Sequence, residues 1–438
     1  MRNARQSEFL VIAAIIGVAL NLRPALAAIG PLLDMIEAAT GLSHTQSSLL
    51  TSLPVFVMGL CALGGAAIAG RVSERNGVAI GMALIGIACA ARYAGDGGAS
   101  LLVTAIIAGA GIALVQTLLP AFIKRGFGAG AGRVFGLYTT GIMGGAAIAA
   151  ASAAGLAAQW GWPSALAVWA APALAALFLW RGATRQTLAS VAATAAATRS
   201  ATGQAAGVAG AVAATRSATG PAAGVAAAPG AAHSAAVARD IQTARPRFWR
   251  SRRAWELMIF FGIGTGAYTL VLAWLPPFYT SLGWQPSQAG LLLGGLTLAE
   301  VAAGLAVSAW IGHFPDRRKP LLTVLMSLLA GLACLIFAPL PLALCACLLL
   351  GLGIGALFPL SLILTLDHLE DPAEAGMLAA FVQGGGYIIA SGMPLLAGLL
   401  RDRFSDLTQA WVAMSIGTAC MAVLCLQFSP ANYRRLTR

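Results

Sequence analysis

Charge is what this sequence has least of. Its 438 residues include 15 aspartates and glutamates and four histidines, and charged residues of either sign make up only 10%. A soluble chain of this length needs far more charge to cover its surface, so a soluble globular enzyme is excluded and a polytopic membrane protein remains. Histidines and cysteines form no cluster with metal-ligand spacing, and no metal or other cofactor is expected. The seven cysteines (Cys61, Cys89, Cys334, Cys345, Cys347, Cys420 and Cys425) all lie inside apolar runs and read as small buried hydrophobes, not a disulfide framework. There is no phosphate-cradling loop for ATP and no nucleophile with a base inside an apolar run, so the chain is not expected to be an enzyme.

What is there is apolar. Hydrophobic residues make up 59% and the mean hydropathy is +0.82. Apolar segments long enough to cross a bilayer recur at 9–35, 49–70, 77–95, 99–123, 134–158, 162–180, 254–279, 287–311, 320–338, 341–366, 375–400 and 408–428, which gives twelve candidate spans. The net charge of +12 sits in short clusters between these runs. With the N-terminus inside, 23 basic residues fall on the cytoplasmic side and only Arg92, Arg401 and Arg403 on the other. The positive-inside rule therefore predicts a multi-pass inner-membrane protein with both termini cytoplasmic, and no nucleic-acid partner. Arg2 and Arg5 before an apolar run, then Ala25-Leu26-Ala27, mimic a signal peptide, but Arg23 interrupts the run and apolar sequence continues to Leu33.

Residues 181–253 change character to Ala, Gly, Thr and Ser with scattered Arg, and Thr198-Arg199-Ser200-Ala201-Thr202-Gly203 returns as Thr215-Arg216-Ser217-Ala218-Thr219-Gly220. This composition predicts a mostly disordered cytoplasmic linker between two six-helix bundles, 1–180 and 254–438. The bundles match at a constant offset of 242 residues. Gly41, Gln46, Leu49 and Leu50 meet Gly283, Gln288, Leu291 and Leu292; Gly70, Glu74 and Arg75 meet Gly312, Asp316 and Arg317; Gly109, Gly111 and Ile112 meet Gly351, Gly353 and Ile354. One register over three helices reads as a tandem duplication, and because six is even the two copies run parallel.

Twelve spans in two parallel sixes, a long central loop and the segment Gly70-Arg71-Val72-Ser73-Glu74-Arg75-Asn76-Gly77 between spans two and three resemble the major facilitator superfamily. The segment departs from that family's signature: Glu74 replaces the usual aspartate, and Val78 and Ala79 stand where basic residues usually follow. The second copy keeps Asp316-Arg317-Arg318-Lys319 and lacks the closing glycine. Four shorter motifs are similar to the cyanate-permease and 2-nitroimidazole-transporter branch: Asn21-Leu22-Arg23-Pro24, Gln116 to Pro120 leading into Ile123-Lys124-Arg125, Phe358-Pro359-Leu360, and Gln383-Gly384-Gly385-Gly386-Tyr387. The resemblance implies an all-α fold in which spans one, four, seven and ten line a cavity, with two, five, eight and eleven beside them.

Nearly all mid-span polar groups fall on those spans. Asn21, Arg23, Tyr268, Glu300 and Tyr387 are central, while Gln116, Phe358, Ser361 and Gln383 lie about a turn nearer the cytoplasm. A permanent cation at mid-depth costs on the order of 3 kcal/mol unless it faces a partner or a watery cavity. Arg23 either grips a small anion with its two-donor fork or is held structurally by helix carbonyls. Glu300 is the one acid in the middle of a span. Desolvation favours its neutral form and a nearby Arg23 favours the carboxylate, an opposition that can couple a proton to an anion; a permanent ion pair fixing helix packing is the other reading. Tyr268, Tyr387, Gln116, Gln383 and Asn21 offer donors to orient a small solute, and Trp274 and Phe358 apolar walls. Interhelical hydrogen bonding and packing explain each of these equally well.

At the cytoplasmic ends, Glu74, Arg75, Asp316, Arg317 and Asp367 are expected to latch the two halves as a gate. Asp34 and Glu37 are expected to be solvated at the outer mouth, and His44 and His313 to lie on the surface. The sequence therefore predicts a monomeric secondary active transporter in a lipid bilayer, moving a small anion or small polar solute by alternating access with protons. A drug-like-compound efflux pump of the same fold is the alternative, disfavoured by an aromatic content of only 7%. A non-transporting membrane sensor or scaffold is the alternative of another class, and it leaves the duplication and the buried charges without purpose.

Overall fold

The computed structural model describes residues 2–95, 97–185, 248–369 and 371–430. Most of the expected linker, with its internal repeat, lies outside the described residues. At its edges the helix of span 6 continues to 185 and span 7 begins at Arg252, so the bundle boundaries shift by a few residues from 180 and 254. Eleven helices among the described residues are long and apolar enough to cross a membrane. One of them, Ala131–Ala167, holds span 5 and the first residues of span 6; it turns back at Gly161 with φ 80°, a left-handed conformation that glycine adopts without steric cost, and the rest of span 6 is helical over 170–185.

Span 1 is not the continuous helix its apolar run suggests. It runs as Arg2–Leu20, breaks over Asn21-Leu22-Arg23, resumes as the short helix Pro24–Ala27, and reaches its end through Gly30–Leu32 and Leu33–Thr40. Proline at the first helical position restarts the helix, since its missing amide donor is one that a helix start leaves unused anyway.

The duplication is visible in local geometry. Gly41 (φ 70°) and Gly283 (φ 93°) are both left-handed. Each is followed by a capping box, Ser43 with Gln46 at the start of span 2 (His44–Leu63) and Gln285 with Gln288 at the start of span 8 (Pro286–Trp310). Gly109 of span 4 (Gly98–Phe127) lies against the backbone of Pro54 in span 2, and Gly351 of span 10 (Ala343–Leu366) lies against Leu296 in span 8 at the corresponding position.

The halves meet along two seams, span 2 with span 11 (Pro372–Phe404) and span 5 with span 8. Both are narrow because glycine lies on them. A Cβ on Gly59 would stand 2.7 Å from the Gly384 carbonyl oxygen, and one on Gly290 would stand 2.7 Å from the Ala150 oxygen. Such close backbone approach is how helices associate where lipid supplies no hydrophobic drive.

Candidate functional site

The break in span 1 puts Arg23 at mid-molecule, 6% exposed, as the residue that begins the short helix; Asn21, equally buried, donates its side-chain amide back to the Gly17 carbonyl at 2.8 Å. Asn21 is thus committed to closing the end of the preceding helix. Close approach of span 5 accommodates the break, because a Cβ on Gly145 would collide with Leu20.

Around Arg23 the structure gathers residues from four other spans. Its guanidinium carbon stands 5.5 Å from the ring centroid of Tyr268 on span 7. Tyr387 of span 11, Tyr138 of span 5 and Glu300 of span 8 are within its electrostatic reach. Tyr138, 3% exposed, is a site residue the sequence reading missed; its Tyr-Thr-Thr setting carries no signal that separates it from packing.

The polar groups here are largely unsatisfied. Among the described residues, Arg23 Nε, the Tyr268 hydroxyl and both carboxylate oxygens of Glu300 are buried without a hydrogen-bond partner. Arg23 and Glu300 also form no ion pair within 4.0 Å. The permanent pair considered from sequence is therefore not formed in this conformation. An uncompensated buried charge costs several kcal/mol, so groups held apart in this way indicate a place built for a further polar or charged species. The Glu300 backbone packs closely against span 10, since a Cβ on Gly355 would collide with its Cα and carbonyl oxygen.

One wall is aromatic. Phe261 stands 5.5 Å from Phe358 and 5.7 Å from Tyr387, centroid to centroid. Phe358 is exposed, and Gln116 and Gln383, both half-buried, make no hydrogen bond to another described residue. Ser361 turns its hydroxyl onto the Phe358 carbonyl. Trp274 does not join the wall: it is fully buried, donates to the Pro394 carbonyl at 2.9 Å, and sits 5.4 Å beneath the Arg401 guanidinium near the end opposite the termini.

That far end holds the bonds between halves. Asp34 accepts from Thr280 and pairs with Arg401; Asp402 accepts from the His44 amide (3.1 Å), the Thr45 amide (2.9 Å) and the Thr45 hydroxyl (2.6 Å). Glu37 binds His44 and Ser47. Asp34, Glu37 and His44 are thus engaged in or beside a cross-half cluster; Glu37 is largely buried in it, while Asp34 and His44 keep part of their side chains exposed, as expected of the outer mouth. The reason is the tight seam, where Gly398 lies against the His44 backbone and brings the ends of spans 2 and 11 together.

The five gate residues behave otherwise. Glu74 pairs with Arg125, Arg75 donates to Thr184 at 2.9 Å, Arg317 pairs with Asp367 at 2.7 Å, and Asp316 pairs with Arg318 at 2.7 Å. Each contact stays within one half, because each group finds its partner on its own loop or on another span of its own half. A cleft of about 560 Å³ beside Glu74, Arg75, Phe122 and Arg125 belongs to this end of the first half and not to the Arg23 centre.

The Major Facilitator Superfamily model matches residues 10–392. The chain is 34% identical to the cyanate transport protein CynX of Escherichia coli (strain K12), covering 96% of this chain and 97% of that protein. It is 28% identical to the 2-nitroimidazole transporter of the same organism, covering 96% and 94%. Among solved structures, a bacterial homologue of the human lysosomal transporter Spinster, inward-facing and occupied, superimposes with a TM-score of 0.69 at 14% identity, covering 97% of this chain and 96% of that one. A fold of this kind, a sequence match over most of the chain, and relatives that are transporters along their whole length lead to one conclusion: this multi-pass membrane protein belongs to the Major Facilitator Superfamily.

Proposed function

We propose that the chain carries a small monoanion across the inner membrane by alternating access, with Arg23 as the ligand for the anion and Glu300 as the group that takes up a co-transported proton. The observation that carries this reading is the pair of unpartnered buried charges, Arg23 and Glu300, close enough to feel each other and too far apart to pair. An anion on Arg23 satisfies the guanidinium and removes the positive field from Glu300, which then accepts a proton; both species cross together. One central cation, with Tyr268, Tyr387 and Tyr138 around it, suits a solute with a single negative charge and few atoms. The 34% identity to a cyanate transport protein supports cyanate as the first solute to try.

In this assignment the side of the termini is cytoplasmic. Bonds between halves at the far end, with the ion pairs on the side of the termini each kept within one half, support a state that faces the cytoplasm. The 28% identity to a 2-nitroimidazole transporter, together with the Phe261–Phe358–Tyr387 wall, supports a second reading, a neutral nitroheterocycle as solute.

The test is uptake and binding in proteoliposomes with cyanate, nitrate, small monocarboxylates and a neutral nitroimidazole, with and without a pH gradient. Arg23→Ala is expected to abolish binding and flux of the anion. Glu300→Gln is expected to keep solute exchange and lose accumulation driven by the pH gradient. Anion flux through Arg23→Ala at the wild-type rate refutes the ligand role, and gradient-driven accumulation by Glu300→Gln refutes the proton role.

A further inference from the structure

A second buried guanidinium lies close to the broken segment of span 1. Arg92 directly follows span 3 (Glu74–Ala91) and is 2% exposed. From sequence it counts only as a far-side loop cation; the structure buries it. Among the described residues it has no carboxylate in salt-bridge range.

Its bonds show what it does. Nη1 donates to the Ala25 carbonyl at 2.8 Å, and Nε donates at 3.3 Å to the Thr104 hydroxyl of span 4, which is itself anchored on the Leu101 carbonyl. Ala25 lies within the short helix that Arg23 begins. In a continuing helix the Ala25 carbonyl would accept from the Ile29 amide, but that amide turns to Leu26 instead, at 3.2 Å. Ala25 is left with the kind of orphan acceptor that a helix end must satisfy from outside, and Arg92 supplies the donor. At the other end of the same short helix, the Arg23 carbonyl accepts from the Leu26 and Ala27 amides, both at 2.9 Å. The backbone that aims Arg23 into the site is thus held by its own turn at one end and by Arg92 at the other.

We propose that Arg92 is a positioning residue for Arg23: by capping the Ala25 carbonyl it fixes the four-residue helix Pro24–Ala27, and with it the direction of the Arg23 side chain towards the solute. This rests on the reading of Arg23 as the anion ligand. Arg92 touches no solute. It acts through the backbone, so its removal weakens binding without removing the ligand.

The experiment pairs amide hydrogen exchange over residues 24–32, in the full-length protein in nanodiscs, with cyanate uptake in proteoliposomes. The variants are Arg92→Met, which fills the space without donors, Arg92→Lys, which keeps one donor, and Thr104→Val. Arg92→Met is expected to speed exchange in the segment about tenfold or more and to raise KM about tenfold, with kcat within about threefold of wild type. Arg92→Lys is expected to bring KM back to within about threefold of wild type, and Thr104→Val to move exchange and KM in the same direction as Arg92→Met by about threefold.

Unchanged exchange over 24–32 in Arg92→Met overturns the proposal, as does a parallel loss in Arg92→Met and Arg92→Lys with kcat falling and KM constant. Should Arg92→Met fail to fold, the exchange of Thr104→Val and Arg92→Lys decides in the same way. Arg23→Ala is run beside them: wild-type cyanate uptake in that variant refutes the ligand reading, whereas the exchange data still decide whether Arg92 holds the segment.

Discussion

The two halves of this molecule share a scaffold and divide the chemistry. Left-handed glycines, capping boxes and glycine contacts recur at the 242-residue offset. The charges at the centre do not: Arg23 corresponds to Thr265, in the uninterrupted helix Arg252–Ser281, and Glu300 corresponds to Met58. The first half contributes the broken helix and the cation, the second the acid. Even the gate pairs are reversed. Glu74 bonds Arg125 in one half, while in the other Arg317 bonds Asp367, which occupies the position of Arg125. Where the copies agree the reason is helix packing; the buried charges at the centre are where they depart.

The sharpest way to break this comparison is to make the second half more like the first. Gly355 corresponds to Ala113. Gly355→Ala places a methyl group on the Glu300 backbone, where no flexible side chain can yield, and should reduce transport by about a hundredfold or more and lower the melting temperature in detergent. Gly295→Ala on span 8 is the control, since its nearest neighbour is the Cys347 sulfur at 3.8 Å, an ordinary contact.

Next in size is the far-end cluster that joins the halves. Asp402→Asn weakens a three-bond cap at the start of span 2 and should raise the far-side-open population about tenfold. Spin labels on Thr40→Cys and Leu282→Cys, in a protein freed of its native cysteines, report this as a longer distance.

The reversed pairs within each half should matter less. Glu74→Ala should change the transport rate only about two- to threefold, as an ion pair whose arginine is largely exposed contributes roughly 0.2–1 kcal/mol, and the swap Glu74→Arg with Arg125→Glu should restore it.

The smallest effect is titration of His368, whose counterpart is Gly126. Burial pushes its pKa down to about 4 from the usual 6.5, while its bond to the Leu364 carbonyl opposes the shift. The unfolded chain therefore binds a proton first as pH falls, and stability is lost between about pH 6.5 and 4. His368→Asn should flatten the melting-temperature profile in that window, read by thermal unfolding in detergent.

Much of this was legible in the sequence. The spans follow from hydropathy, the duplication from one constant register, and Arg23 and Glu300 from the expense of charge at mid-depth. What was not legible depends on which helix lies beside which. The break at Asn21-Leu22-Arg23 reads as continuous helix because its residues are as buried as their neighbours. Tyr138 becomes a site residue only when span 5 folds against span 1. Glu74 and Arg317 were legible as ion-pair formers but not as partners within their own halves, since the nearest opposite charge depends on how the spans pack. Asp34 and His44 carried no sign that span 11 would meet them.

The glycine-lined seams have a further consequence for how the halves are joined. Where Gly59 meets Gly384 the Leu63 and Ile388 side chains share the contact with backbone, and where Gly290 meets Ala150 the Pro31 ring does. Such faces hold by close van der Waals contact and not by polar bonds. The polar bonds between the halves gather instead around Asp34, Arg401 and Asp402. These contacts are few and separable, so single substitutions there can loosen or tighten the junction of the halves while the hydrophobic interior stays as it is.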